Sequence, residues 1–161
     1  MIVAMALGLA YVVSGSLEEP ITRVGDRAPR FKVVTDAGKT ITPVDFGGKL
    51  LVLNFWATWC PGCVVEMTGL DRFQQAMASE GVVVVGISMD ANEALYKRFL
   101  IQHPLSIQTV RDPSWEISAS YGTFQLPETY IIDRSGRVVQ KVIAAHNFMD
   151  PAFLDTVKKL L

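Results

Sequence analysis

Apolar residues form two kinds of pattern along this chain. "LLVLNFWA", Leu50 to Ala57, and "GVVVVGISM", Gly81 to Met89, are nearly continuous apolar runs. Such runs predict strands buried on both faces of a sheet. Between them, from Cys60-Pro61, apolar residues recur at helical spacing and predict a helix to about Ser79. "FKVVTD", Phe31 to Asp36, and "TITPVDF", Thr40 to Phe46, flank Ala37-Gly38-Lys39 and read as a hairpin, with a turn at Gly47-Gly48. Helical spacing returns from Asp90 to His103, with Leu95, Phe99 and Leu100 on one side. "LSIQTVRD" reads as a short extended segment and Ser114 to Tyr121 as a short helix. "ETYIID", Glu128 to Asp133, and "RVVQKVIA", Arg137 to Ala144, are joined by Arg134-Ser135-Gly136 as a second hairpin. Asp150 caps a last helix, with Pro151 at its first position. Phe153, Leu154, Val157, Leu160 and Leu161 form its apolar face.

This order predicts an α/β fold. Right-handed crossovers make the Leu50–Ala57 and Gly81–Met89 strands parallel. The closing hairpin adds antiparallel strands, so the central sheet is mixed, with helices on both faces and an N-terminal β-hairpin as an extension. No internal repeat or low-complexity segment interrupts it. The 161 residues suit one domain over residues 30–161, and half of them are hydrophobic, enough for a full core. Residues 17–29 read as a linker. Before it, "MIVAMALGLAYVV", Met1 to Val13, is apolar throughout and is followed by Ser14-Gly15-Ser16. Residues 1–16 therefore read as an export signal or anchor, short for a membrane span and without a basic start. The other reading is an apolar helix packed on a protein surface. The net charge of −1 and the lack of a basic run argue against nucleic acid as a partner.

The chain has two cysteines, Cys60 and Cys63, in "NFWATWCPGCVVEMTGL". Two are too few for a disulfide scaffold. Three readings remain: a redox dithiol, half of a metal site, or two structural residues. A zinc site needs four ligands, and His103 and His146 do not form a ligand pair, so no metal is expected. The placement favours a dithiol. Cys60 falls where a strand becomes a helix, at the N-cap, and Pro61 suits the first helical position. Free N–H groups of Gly62 and Cys63 and the helix dipole then favour a thiolate at Cys60. Cys63, one turn in, is the resolving thiol.

"NFWATWCPGC", "VVVVGISMD" and "QLPETYIIDRSGRVV" together resemble the thioredoxin superfamily. The resemblance is greatest to the exported TlpA/ResA/DsbE-type thiol–disulfide oxidoreductases and covers roughly residues 24–161, including the entry hairpin after "VGDRAPRF". It implies a thioredoxin-like fold and a dithiol that reduces disulfides in exported proteins, apocytochrome c among them. The chain would be a periplasmic or membrane-anchored monomer, re-reduced by a membrane thiol–disulfide electron donor. No cofactor is implied, because the sulfurs carry the electrons. The resemblance also implies a cis Leu126–Pro127 bond against the dithiol, with the Leu126 backbone facing an extended substrate, alongside Pro61 and Gly62. The residues alone also allow a trans loop proline.

Glu66 stands three residues after Cys63, near the same side of the helix. Relatives resemble this chain in carrying a glutamate there. Cytosolic thioredoxins instead place an aspartate in the preceding strand, where this chain has Asn54. Glu66 is thus the candidate for taking the proton of Cys63, against a solvated glutamate near a helix start. Glu128 resembles the glutamate of a "PET" motif in cytochrome-c-maturation members and is a candidate to tune the site or touch substrate; otherwise it is a polar strand residue. Trp59 is the tryptophan expected to meet substrate, and Trp56 is expected in the core. Thr68 replaces a proline common in relatives, and Pro61-Gly62 is not their commonest dipeptide. A peroxiredoxin-like thiol peroxidase is the runner-up. It normally has Thr and Pro where this chain has Ala57 and Leu53. A thioredoxin-fold binding module without catalysis is the remaining alternative.

Overall fold

The computed structural model describes residues 21–161. Segment 1–16 and the start of segment 17–29 lie outside the described residues. Two short strands, β1 (Val33–Val34) and β2 (Thr40–Ile41), form the N-terminal hairpin. β3 (Leu50–Trp56) is buried along its whole length. A long helix, α1 (Pro61–Met77), and a 3-10 turn over Ala78–Glu80 lead to β4 (Val82–Ser88). The helix α2 (Glu93–Gln102) leads to β5 (Gln108–Arg111), and α3 (Glu116–Tyr121) follows. β6 (Glu128–Asp133), β7 (Val138–Ile143) and α4 (Pro151–Lys159) complete the chain.

The main sheet has the order β5-β4-β3-β6-β7. β3, β4 and β5 are parallel, and β6 and β7 join antiparallel. Side-chain alternation divides the core. Leu50, Val52 and Trp56 of β3 pack with Met67, Leu70 and Phe73 of α1, Tyr96 and Phe99 of α2, and Phe153 and Val157 of α4. Leu51, Leu53 and Phe55 point the other way, to Ile41, Phe46, Tyr121 and Tyr130. The order of strands and helices thus follows the apolar pattern, as do the helices on both faces.

Three details differ from that pattern. The helix expected from Asp90 begins at Glu93, because Asn92 takes the cap and accepts from Ala94 N and Leu95 N. Asp90 instead accepts from the N–H and hydroxyl of Thr58. Leu95 is exposed, and Tyr96 joins Phe99 in the core. The helix expected from Ser114 begins at Glu116, because Trp115 is in the left-handed region, at φ 61°.

The chain before the hairpin is held to the domain. Arg27 bridges antiparallel to Arg137, Gly25 N donates to Val138 O at 2.8 Å, and Ala28 N donates to Gly136 O at 2.8 Å. From residue 21 on, the segment read as a linker therefore covers the β7 edge of the sheet. At the opposite edge, Asp36 N donates to Thr109 O of β5.

Candidate active site

β3 ends at Trp56, and after three intervening residues the chain reaches Cys60, the N-cap of α1 (φ −97°, ψ 105°). Pro61 takes the first helical position, where its missing N–H leaves no bond unmade. Cys60 and Cys63 are joined as a disulfide, with their Cα atoms 5.2 Å apart. The Cys60 Sγ accepts from Cys63 N at 3.2 Å. Of the two free N–H groups expected there, Cys63 supplies this bond. Cys60 is 7 % exposed and Cys63 is 1 % exposed, so Cys60 is the less shielded of the two.

The Leu126–Pro127 bond is cis. Pro127 is buried beside the start of α1: a methyl group on Gly62 would stand 3.7 Å from Pro127 Cδ and 3.7 Å from Ala145 Cβ. The loop before β6 and the loop after β7 thus flank the dithiol. Leu126 is half-buried and packs against both halves of the core.

Below Cys63, Glu66 is 5 % exposed. Its Oε1 accepts from Asn54 Nδ2 at 3.0 Å, and its Oε2 accepts from His146 N at 2.7 Å. Asn54 Nδ2 also donates to Thr129 Oγ1 at 2.9 Å. Burial raises the Glu66 pKa to about 7, against the lowering effect of the two hydrogen bonds. A cavity of about 350 Å³, lined by Val65, Glu66, Gly69, Ala145, His146 and Asn147, borders the carboxyl. Glu66 is therefore the shielded carboxyl of the sequence reading and not the solvated one.

Glu128 opens β6 directly after Pro127, on the sheet face opposite Thr129. It is buried and pairs with Lys141 Nζ at 2.7 Å. Lys141 also donates to Thr22 O and lies 4.8 Å from the Tyr130 ring centroid. Trp56 is fully buried, whereas Trp59 is 57 % exposed and stacks on Trp115 with centroids 6.5 Å apart. Among the described residues no cluster of His, Cys, Asp or Glu could hold a metal ion, and no helix is long and apolar enough to cross a membrane.

The pattern of the AhpC/TSA family matches residues 24–141. The chain belongs to the AhpC/TSA family. Among curated relatives of this family member, thiol-disulfide oxidoreductase ResA of Bacillus thuringiensis is 32 % identical over 142 residues, 88 % of this chain and 82 % of the relative. The thiol:disulfide interchange protein DsbE of Pseudomonas aeruginosa is 33 % identical over 129 residues, 78 % of this chain and 69 % of the relative. A crystal structure described as a DsbE-type interchange protein of Chlorobium tepidum superposes with a TM-score of 0.78 at 26 % identity, covering 86 % of this chain and 98 % of that one. The resemblance to the TlpA/ResA/DsbE branch, drawn from the sequence, is thereby established. An AhpC/TSA member of this branch with its cysteines at disulfide separation carries out thiol–disulfide exchange.

The sequence-derived residues fall into two groups. Cys60, Pro61, Gly62, Cys63 and Pro127 meet at the start of α1, with Glu66 below. Glu128 faces the other side of the sheet. Sequence reasoning gave no role to Thr129, His146 or Trp115. Thr129 carries a signal, since it lies two residues after Pro127 in an alternating strand. His146 acts through its backbone N–H, which no side-chain pattern reveals.

Proposed function

We propose that this protein is an extracytoplasmic thiol–disulfide reductase in which Cys60 attacks and Cys63 resolves. The observation that carries the reading is the position of the pair: the Cys60 sulfur at the helix cap, accepting from Cys63 N, with Glu66 buried in the same helix three residues after Cys63. In the reduced protein, helix N–H groups stabilise a Cys60 thiolate. That thiolate attacks one sulfur of a substrate disulfide, and the other substrate sulfur leaves as a thiolate. Cys63 gives its proton to the Glu66 carboxylate and attacks Cys60 Sγ, which breaks the mixed disulfide and releases the second substrate sulfur as a thiolate; both substrate thiolates take protons from the medium. The products are the Cys60–Cys63 disulfide and a substrate dithiol, two electrons having passed to the substrate. Glu66 returns its proton to the medium by way of the bordering cavity. With a pKa of about 7, it is poised for either direction near neutral pH.

The substrates of this reading are disulfides in exported proteins, with the Cys-x-x-Cys disulfide of apocytochrome c as the candidate that the branch suggests. A membrane thiol–disulfide donor re-reduces the pair, and residues 1–16 export or anchor a monomeric domain. Trp59, Pro61, Gly62, Leu126 and Pro127 form the rim that meets the substrate. Glu128, paired with Lys141, fixes the start of β6 and with it the Pro127 loop.

Trapping tests the roles of the two cysteines. Cys63→Ser should accumulate mixed disulfides with substrate, and Cys60→Ser should accumulate none. Insulin reduction by the wild type measures the activity itself. Mixed disulfides formed by Cys60→Ser alone would reverse the assignment.

A further inference from the structure

The rim described above includes Trp59 but leaves its exposed aromatic neighbour, Trp115, without a role. Trp59 directly precedes Cys60, and its ring lies on Trp115 with planes 28° apart. Both rings are open to solvent, at 57 % and 46 % exposure. We propose that Trp59 and Trp115 form an aromatic shelf that selects substrate disulfides flanked by an aromatic side chain. This inference rests on the disulfide-exchange reading of Cys60.

Trp115 is held for display more than for burial. Its backbone is left-handed at φ 61°, a conformation rare for a bulky residue and one that surrounding contacts must enforce. Those contacts are present. Trp115 Nε1 donates to Met89 O at 2.8 Å, just past the end of β4. Trp115 N donates to Asp112 O, and the Asp112 carboxylate accepts from Ile117 N and Ser118 N. Met89 N in turn donates to Trp56 O, which ties this corner to the strand leading into Cys60. A ring left half in water gains little from burial to offset that backbone.

The shelf continues the surface that any substrate must cover. A disulfide reaching Cys60 brings its neighbouring residues over Trp59, the adjacent residue in the chain. The two ring centroids span 6.5 Å, and an extended polypeptide advances about 3.3 Å per residue. The shelf therefore meets side chains one to about three residues from the attacked cysteine. On each ring, the face that the other ring leaves uncovered offers flat π-surface to a stacking ring. The partner is thus an extended polypeptide with an aromatic residue next to its disulfide cysteine.

The test uses cyclic peptides of the form X-Cys-Ala-Ala-Cys-X, blocked at both ends, with X as Phe, Leu or Ala. Either cysteine then carries the same neighbour. The measurement is the second-order rate constant for reduction by the pre-reduced full chain. The wild type should prefer Phe over Leu by about fivefold. Trp115→Leu should bring that ratio below about twofold, and Trp115→Phe should keep most of it. The ratio is taken within one preparation, so a loss of folded variant cancels. Equal rates for Phe and Leu in the wild type, or full selectivity in Trp115→Leu, would overturn the shelf. If the wild type fails to reduce even the Ala peptide, the exchange reading fails first, and the shelf with it.

Discussion

Between pH 4.5 and 7 the folded chain holds a proton on Glu66 that the unfolded chain has released. The native state thus binds more protons, and stability falls as pH rises through this window. The full loss is about 3 kcal/mol, complete above pH 7. Glu66→Gln removes the loss. Asn54 can accommodate the change by turning its amide, so that Oδ1 accepts from the new amide and from the Thr129 hydroxyl. The melting temperature of the wild type should fall relative to Glu66→Gln by about 6 °C or more between pH 5 and 8. Parallel curves for the two proteins would refute the shift. Glu66→Gln should also slow exchange about tenfold and flatten its pH profile, if proton transfer passes through this carboxyl. Asn54→Leu removes a hydrogen bond that favours the charged form, so it should push the Glu66 pKa above 7, as read by NMR titration. Much of this site was legible from residue types and spacing: two cysteines at a strand-to-helix junction, Pro61 between them, Glu66 one turn on. His146 was not, because its contribution is a backbone N–H delivered by a loop.

At the scale of elements, the β3–α1–β4 unit was readable because its strands are apolar on both faces and its helix starts with a proline. The limits of α2 and α3 were harder. Asn92 competes with Asp90 for the cap, and Trp115 breaks the backbone where its residue type predicts no break. β5 has only four residues and no apolar run, so its pairing with β4 is a tertiary fact. One close contact within the unit invites a test. Gly86 of β4 lies under the Trp56 indole, and a methyl group there would come within 2.8 Å of Trp56 Nε1. Both residues are buried in well-paired strands, so neither can move away cheaply. Gly86→Ala should cost about 1–3 kcal/mol by overpacking, seen as a lower urea midpoint with an unchanged slope. An unchanged midpoint would mean that the ring has room to shift.

Over the whole molecule, the chain before β3 covers both edges of the sheet. Uncovered edges offer unpaired N–H and C=O groups to other chains. Deleting residues 1–28 should therefore expose β7, lower the melting temperature and add oligomers in size-exclusion chromatography. A monomeric, equally stable truncation would show that the cover is dispensable. The edge position of segment 21–28 was hidden from the sequence, where Ile21 and Val24 stand apart among polar and small residues and form no strand pattern. The covering segment also has a mechanical consequence. Gly25 N, Ala28 N and Val138 N all carry hydrogen bonds across this border, and Lys141 reaches over it to Thr22 O. A tether pulling along the segment loads these bonds together, in shear. One pulling outward peels them singly. The direction of tension thus decides whether force stops at this border or travels through Lys141 and Glu128 toward the Pro127 loop.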